Sequence, residues 1–65
     1  MRTLTIRDYP NEVGKTIERI LETDYTLTGY YIGDELIWIL HYTGNRDIRI
    51  LELAISEWII ACSEQ

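Results

Sequence analysis

The chain has 65 residues and a mass of 7.7 kDa, which is one domain, burying only about 60% of the surface its unfolded form exposes. A core of that size supplies roughly 3 to 5 kcal/mol, and such chains usually add disulfides, a structural metal or a second subunit; one cysteine and one histidine exclude the first two within a single chain. Eleven acidic against six basic residues give a net charge of -5, which repels a phosphate backbone on average and argues against nucleic-acid binding.

From Arg2 to Arg7, Leu4 and Ile6 alternate with Thr3, Thr5 and Arg7, a period of two that predicts a short strand with one buried face. Charge and threonine interrupt this start before any apolar run develops, so it reads as a mature cytosolic chain without a signal peptide. The single cysteine, Cys62, fits a reducing compartment. Asp8 or Tyr9 then precedes a helix with Pro10 in its first turn, where the missing amide costs nothing and Asn11 and Glu12 suit the positive end of the dipole. Val13, Ile17, Ile20 and Leu21 recur at helical spacing opposite Lys15, Glu18, Arg19 and Glu22, and the helix is expected to end near Thr23.

Tyr25 to Ile32 and Glu35 to Tyr42 are rich in aromatic and branched residues, and Gly33-Asp34 between them suits a two-residue hairpin turn. That turn fixes the register: Ile32 faces Glu35, Tyr31 faces Leu36, Gly29 faces Trp38, Leu27 faces Leu40 and Tyr25 faces Tyr42. One face, Tyr25, Leu27, Gly29, Tyr31, Leu36, Trp38, Leu40 and Tyr42, is assigned to the core, with Gly29 leaving room for the Trp38 indole. The reverse face carries Thr26, Thr28, Tyr30, Ile32, Ile37, Ile39 and His41. Its band of Tyr30, Ile32, Ile37 and Ile39 is too apolar for plain solvent surface.

After the Thr43-Gly44-Asn45-Arg46 loop, Ile48, Leu51, Ile55, Trp58 and Cys62 fall on one seam at spacings of three and four, predicting a helix from Asn45 to Cys62 with Asn45 as N-cap and Asp47 in its first turn. Ile50, Ala54, Ile59 and Ala61 widen the seam, and Cys62 reads as a buried small apolar residue. Leu53 and Ile60, seven apart, lie outside it on a face otherwise made of Arg49, Ser56 and Glu57, which points to an intermolecular contact. Asp47 to Leu51 also alternates, so it could instead return as a third hairpin strand, leaving a helix from Glu52. The apolar stretch contains Glu52 and Glu57 and is far short of the ~20 residues that span a bilayer. The fold class is therefore α+β, in the order β-α-β-β-α (alternative β-α-β-β-β-α), with an antiparallel hairpin packed against two helices in one domain over residues 1–65. The alternative is similar in element order to the double-stranded RNA-binding fold. The basic cluster which that family places at the start of its last helix is absent, since Arg46 and Arg49 alternate with Asp47 and Glu52, so RNA binding does not follow.

Chemistry-bearing motifs are few. Gly14-Lys15-Thr16 matches the end of a phosphate-binding loop, but that motif needs a glycine where Tyr9 stands, and Pro10 fixes the backbone that would cradle the phosphate. Gly14 is instead expected where the helix passes a bulky neighbour such as Trp38. His41 and Cys62 alone cannot supply the ligands of a zinc site, and neither Ser56 nor Ser63 has a histidine nearby in sequence. No catalytic residue, metal or cofactor is assigned. Glu18, Glu22, Asp24 and Asp34 form a candidate acidic patch that could mimic nucleic-acid phosphates, and Arg46 and Arg49 are candidate anion contacts. Seven tyrosines and tryptophans without a phenylalanine suit interfaces, where an apolar ring keeps a polar tip, and Tyr30 is the first choice for an exposed contact.

The expected function is a small acidic cytoplasmic interaction protein, homodimeric and non-catalytic. The class includes regulators and inhibitors such as those phages direct against host enzymes. Its self or protein contact would use Leu53, Ile60, Tyr30, Ile32, Ile37 and Ile39. The alternative is a small-ligand or nucleotide binder whose pocket forms between protomers.

Overall fold

A computed structural model describes residues 1–7 and 10–64, with the side chain of Glu64 excepted. The expected helix-leading role of Asp8 or Tyr9 lies outside the described residues. Strand β1 (Arg2–Arg7) buries Leu4 and Ile6, the two positions its alternation selects. Helix α1 (Asn11–Leu21) buries Val13, Ile17 and Leu21. Pro10 stands one position before the helix, and its carbonyl accepts the N–H groups of Val13 at 3.0 Å and Gly14 at 3.3 Å.

The helix stops at Leu21 rather than near Thr23 because the chain turns sharply. Glu22 has φ 61° and ψ -57°, and the Thr23 N–H donates to the Leu21 carbonyl at 2.6 Å. This is a γ-turn of the positive-φ kind, a strained conformation for a residue with a β-carbon.

Strands β2 (Tyr25–Ile32) and β3 (Glu35–Tyr42) form the predicted hairpin in the predicted register, from Ile32↔Glu35 through Gly29↔Trp38 to Tyr25↔Tyr42. Gly33 alone of the two turn residues has positive φ, 61°, the glycine-first pattern of a type II′ turn. β3 pairs on its other side with β1, and β1 with β4 (Ile59–Glu64), giving one antiparallel sheet in the order β2-β3-β1-β4. The chain is thus a four-stranded α+β domain, β-α-β-β-α-β, the topology of interleaved split β-α-β units called ferredoxin-like. Both crossover helices pack on one face, where Val13, Ile17, Leu21, Leu51 and Ile55 meet Leu4, Ile6, Leu40 and Tyr42.

The C-terminal third departs from the predicted helix. Helix α2 covers only Arg49–Ala54, a 3₁₀ turn follows over Ser56–Trp58, and the chain then extends into β4. The α+β class and the antiparallel hairpin packed against two helices hold, while the long helix from Asn45 to Cys62 is cut short and Asp47 to Leu51 is not a strand. The likeness in order to the RNA-binding fold falls with that strand. Strand pairing overrides helical spacing here because β1 would otherwise lie as a bare edge beside the core. Ile59 to Glu64 satisfies that edge over the length of β1, and the branched Ile59 and Ile60 favour extended backbone.

The inner seam is nevertheless real at Ile48, Leu51 and Ile55, all buried, with Trp58 half-buried. Ile50 and Cys62 are not part of it: Ile50 faces outward from α2, and Cys62 is exposed on the edge strand β4.

Gly29 is where the sheet depends most directly on a missing side chain. A β-carbon there would meet three ring carbons of Trp38 at 2.9 to 3.1 Å, so the indole lies over the glycine backbone. Gly29→Ala is expected to cost about 1 to 3 kcal/mol through displacement of the ring, read as a lower urea midpoint at unchanged slope together with altered tryptophan fluorescence.

Candidate interaction surface

Because α1 and α2 share one face, the other face of the sheet stands open. Alternation along the strands places Thr26, Thr28, Tyr30 and Ile32 of β2 there, with Ile37, Ile39 and His41 of β3 and Thr3 and Thr5 of β1. The end near His41 is polar: the Thr3 hydroxyl lies 3.2 Å from His41 Nδ1, and Thr26 flanks His41 in the ladder. The other end is apolar. Tyr30 and Ile32 are exposed there, and Ile39 is half-buried.

Ile37 requires a correction, because only 2% of it is accessible. It lies between Arg7 and Tyr30 in the ladder, and the Arg7–Glu35 ion pair at 3.4 Å crosses the same corner. Ile37 supports the band from beneath and offers no surface of its own.

Leu53 and Ile60 do not stack on one helix face. Leu53, 78% accessible, points outward from α2 beside exposed Ile50, while Ile60 sits at the irregularity where β4 shifts register against Thr5 and Ile6. Tyr31, 71% accessible, is the most exposed aromatic among the described residues, although its register assigns it to the helix-covered face. It lies next to the turn, beyond the helices. That adjacency was the available signal, and pattern alone passed over it.

The charged candidates separate as well. Glu18, Glu22 and Asp24 gather around the end of α1, but Asp34 occupies the hairpin turn at the far end of β2, roughly 26 Å of strand away. Glu22 is also engaged, by Arg46 Nη2 at 2.6 Å. Arg46 donates through Nη1 to the Ile20 carbonyl at 3.1 Å, and its own backbone N–H donates to the Tyr42 hydroxyl at 2.9 Å. Arg46 and Arg49 line one open cleft of about 440 Å³ with Arg2, Tyr42, Gly44 and Ile48. Each guanidinium there is bound to a carboxylate: Arg2 to Glu52, Arg46 to Glu22 and Arg49 to Asp47, each at 2.6 Å.

In the Gly14-Lys15-Thr16 segment, all three residues lie within α1, and the Thr16 hydroxyl donates to the Glu12 carbonyl at 2.9 Å. Among the described residues, no group of three or more histidine, cysteine, aspartate or glutamate side chains is placed to hold a metal. No helix among the described residues is long and apolar enough to cross a membrane. No known family matches the chain, and no similar protein was found among curated sequences or solved structures.

Two measurements test this electrostatic reading. Hydrogen bonds from the Arg49 side chain and backbone N–H hold the Asp47 carboxyl at about 2 against an ordinary 3.8. A depressed folded-state value means the contact is complete above about pH 4 and is lost as pH falls through 2; carboxyl NMR titration should find Asp47 still ionised at pH 3, and Arg49→Ala should return its midpoint towards 4. Glu52 receives both Nε and Nη2 of Arg2, at 3.0 and 2.6 Å, in a largely shielded pair that ties β1 to α2. Glu52→Gln is expected to lower unfolding free energy by about 1 to 2 kcal/mol, and a double-mutant cycle with Arg2→Ala should return a coupling energy above about 0.5 kcal/mol for the pair.

Proposed function

We propose that this chain is a non-catalytic protein–protein interaction module of the regulator or inhibitor type, working in the cytoplasm as a homodimer. The observation that carries the reading is the open sheet face, where exposed Tyr30 and Ile32 and half-buried Ile39 form an apolar band that no helix among the described residues covers. A domain of this size gains from a second subunit, and a tyrosine among branched aliphatics is the composition that desolvates well against another protein. Binding through the band does not need a nucleophile, a metal or a deep pocket. The carboxylates and arginines then serve solubility and local structure, and nucleic acid is not a partner.

A second reading has one specific observation in its favour, the shared position of Arg46 and Arg49 in the cleft with Arg2. An anionic small ligand would have to displace three carboxylates already seated on those guanidinium groups. The interaction reading is therefore preferred.

Sedimentation equilibrium of the wild-type chain should give a dimer, and a monomer at all accessible concentrations would overturn the self-association. Affinity capture with wild type against Tyr30→Asp plus Ile39→Asp, confirmed folded by circular dichroism, should retain a partner that the variant loses. A thermal-shift panel of nucleotides should leave the melting temperature unchanged, whereas a ligand at 100 times its dissociation constant would add about 2.7 kcal/mol.

A further inference from the structure

We propose that the dimer forms edge to edge, through antiparallel pairing of β2 with β2 of a second copy, which joins two four-stranded sheets into one continuous sheet. This rests on the homodimer reading and specifies its interface.

The two edges of the sheet are treated differently. β4 is interrupted by a register shift against β1 and ends in Glu64, and both features discourage further pairing. β2 has neither: it runs in unbroken register with β3 over its whole length, with no charge and no proline from Tyr25 to Ile32. Long, flat, uncharged edges are what proteins avoid unless the edge is used.

The phase of the ladder shows which groups β2 presents. The Thr43 N–H donates to the Asp24 carbonyl at 2.8 Å, so residues 24 and 43 are a hydrogen-bonded pair. Such pairs alternate in an antiparallel ladder. Thr26, Thr28, Tyr30 and Ile32 therefore direct their backbone groups to β3, and Tyr25, Leu27, Gly29 and Tyr31 direct theirs outward.

Pairing two such edges about a two-fold axis restricts the register. With the axis at Thr28, Tyr25 pairs with Tyr31 of the second copy and Leu27 with its Gly29. All four outward residues on each chain are then satisfied, by about eight hydrogen bonds. Asp24 falls opposite an isoleucine, Ile32 of the second copy. With the axis moved to Gly29, Asp24 of each chain would face Asp34 of the other, opposing like charges twice. With the axis at Leu27, Tyr31 is left without a partner residue on a strand.

Charge thus selects the occupant as well as the register. Two copies carrying -5 each approach most favourably where neither presents a carboxylate, and the Thr28-centred register covers exposed Tyr31 with the ring of Tyr25 from the second copy. The open faces become contiguous, and the Tyr30, Ile32 and Ile39 band is doubled across the axis for a partner.

The test uses cross-linking and amide exchange. At a non-hydrogen-bonded antiparallel pair the Cα atoms lie about 4.5 Å apart, within disulfide range. In a Cys62→Ser background, which removes the exposed native thiol, Thr28→Cys should become a covalent dimer under mild oxidation. Thr26→Cys, whose two copies would stand roughly 13 Å apart along the strands, should not. In the wild-type chain, the amides of Tyr25, Leu27, Gly29 and Tyr31 should exchange at least roughly tenfold more slowly as concentration rises through the dimerisation midpoint. A dimer whose four edge amides show no concentration-dependent protection, or in which Thr26→Cys cross-links as well as Thr28→Cys, would overturn the edge-to-edge arrangement and leave the homodimer intact. A chain that sediments only as a monomer would overturn both.

Discussion

Everything in this fold follows from how little helix is available to cover the sheet. α1 and α2 hold 11 and 6 residues, and both lie on the same side because each is a crossover between strands of one four-stranded sheet. Placing them together concentrates the apolar side chains into a single cluster around Leu4, Ile6, Ile17, Leu40 and Leu51. Splitting them between faces would give two cores, each too small to offset the entropy of ordering the chain. The consequence is one well-buried face and one open one. The stability of the domain and the openness of its second sheet face thus have the same origin.

The two crossovers are tied together at one junction. Tyr42, buried at the end of β3, accepts a hydrogen bond from the Arg46 backbone, and the loop passes so close to the phenol that Gly44 has no room for a β-carbon. That path carries the Arg46 side chain to the end of α1, where it binds the Ile20 carbonyl and the Glu22 carboxylate. A cation at a helix C-terminus is favourable in itself. Here it also sits on the residue whose positive φ ends the helix, and Thr43 binds the Asp24 carbonyl with both its N–H and its hydroxyl. The strained turn is thus held by the loop of the other crossover, so the ends of α1 and β3 are fixed as a unit.

Much of this was legible in the residues. The hairpin could be read pair by pair because a two-residue turn leaves a single register, and Gly29 opposite Trp38 is a complementarity of shape visible in the sequence. The last strand was not legible. A β-bulge adds a residue to one strand, and Ile60 is that extra residue, so Ile59 and Cys62, paired with Ile6 and Leu4, are three apart instead of two, even though Cys62 itself is exposed. Continued from Ile48, Leu51, Ile55 and Trp58, this spacing is indistinguishable from a helix. The candidate surface was legible in part. Tyr30, Ile32 and Ile39 follow from alternation, whereas the burial of Ile37 does not, since it depends on the cross-strand neighbours Arg7 and Tyr30 that the sheet sets on either side of it. The dispersal of the acidic patch is likewise a matter of tertiary distance, since Asp24 and Asp34 are close in sequence and a whole strand apart in space.

The net charge bears on recognition as well as on solubility. At physiological ionic strength exposed charges are screened beyond about 8 Å, so the total of -5 governs only distant encounters between copies. At contact, the carboxylates that matter are those within one or two residues of the meeting surfaces. For β2 these are Asp24 and Asp34, one just outside each end of an otherwise uncharged strand. Their placement leaves the edge itself uncharged and disfavours the Gly29-centred register of the proposed dimer, where Asp24 would face Asp34. An uncharged strand with neutral flanks would pair in many registers and tend towards open aggregation. In the proposed pairing, the Thr28-centred register satisfies all four outward residues of β2 and keeps Asp24 from facing Asp34. For the proposed edge-to-edge dimer, the acidity of so small a chain then acts on the choice of register, through the aspartates nearest the pairing edge.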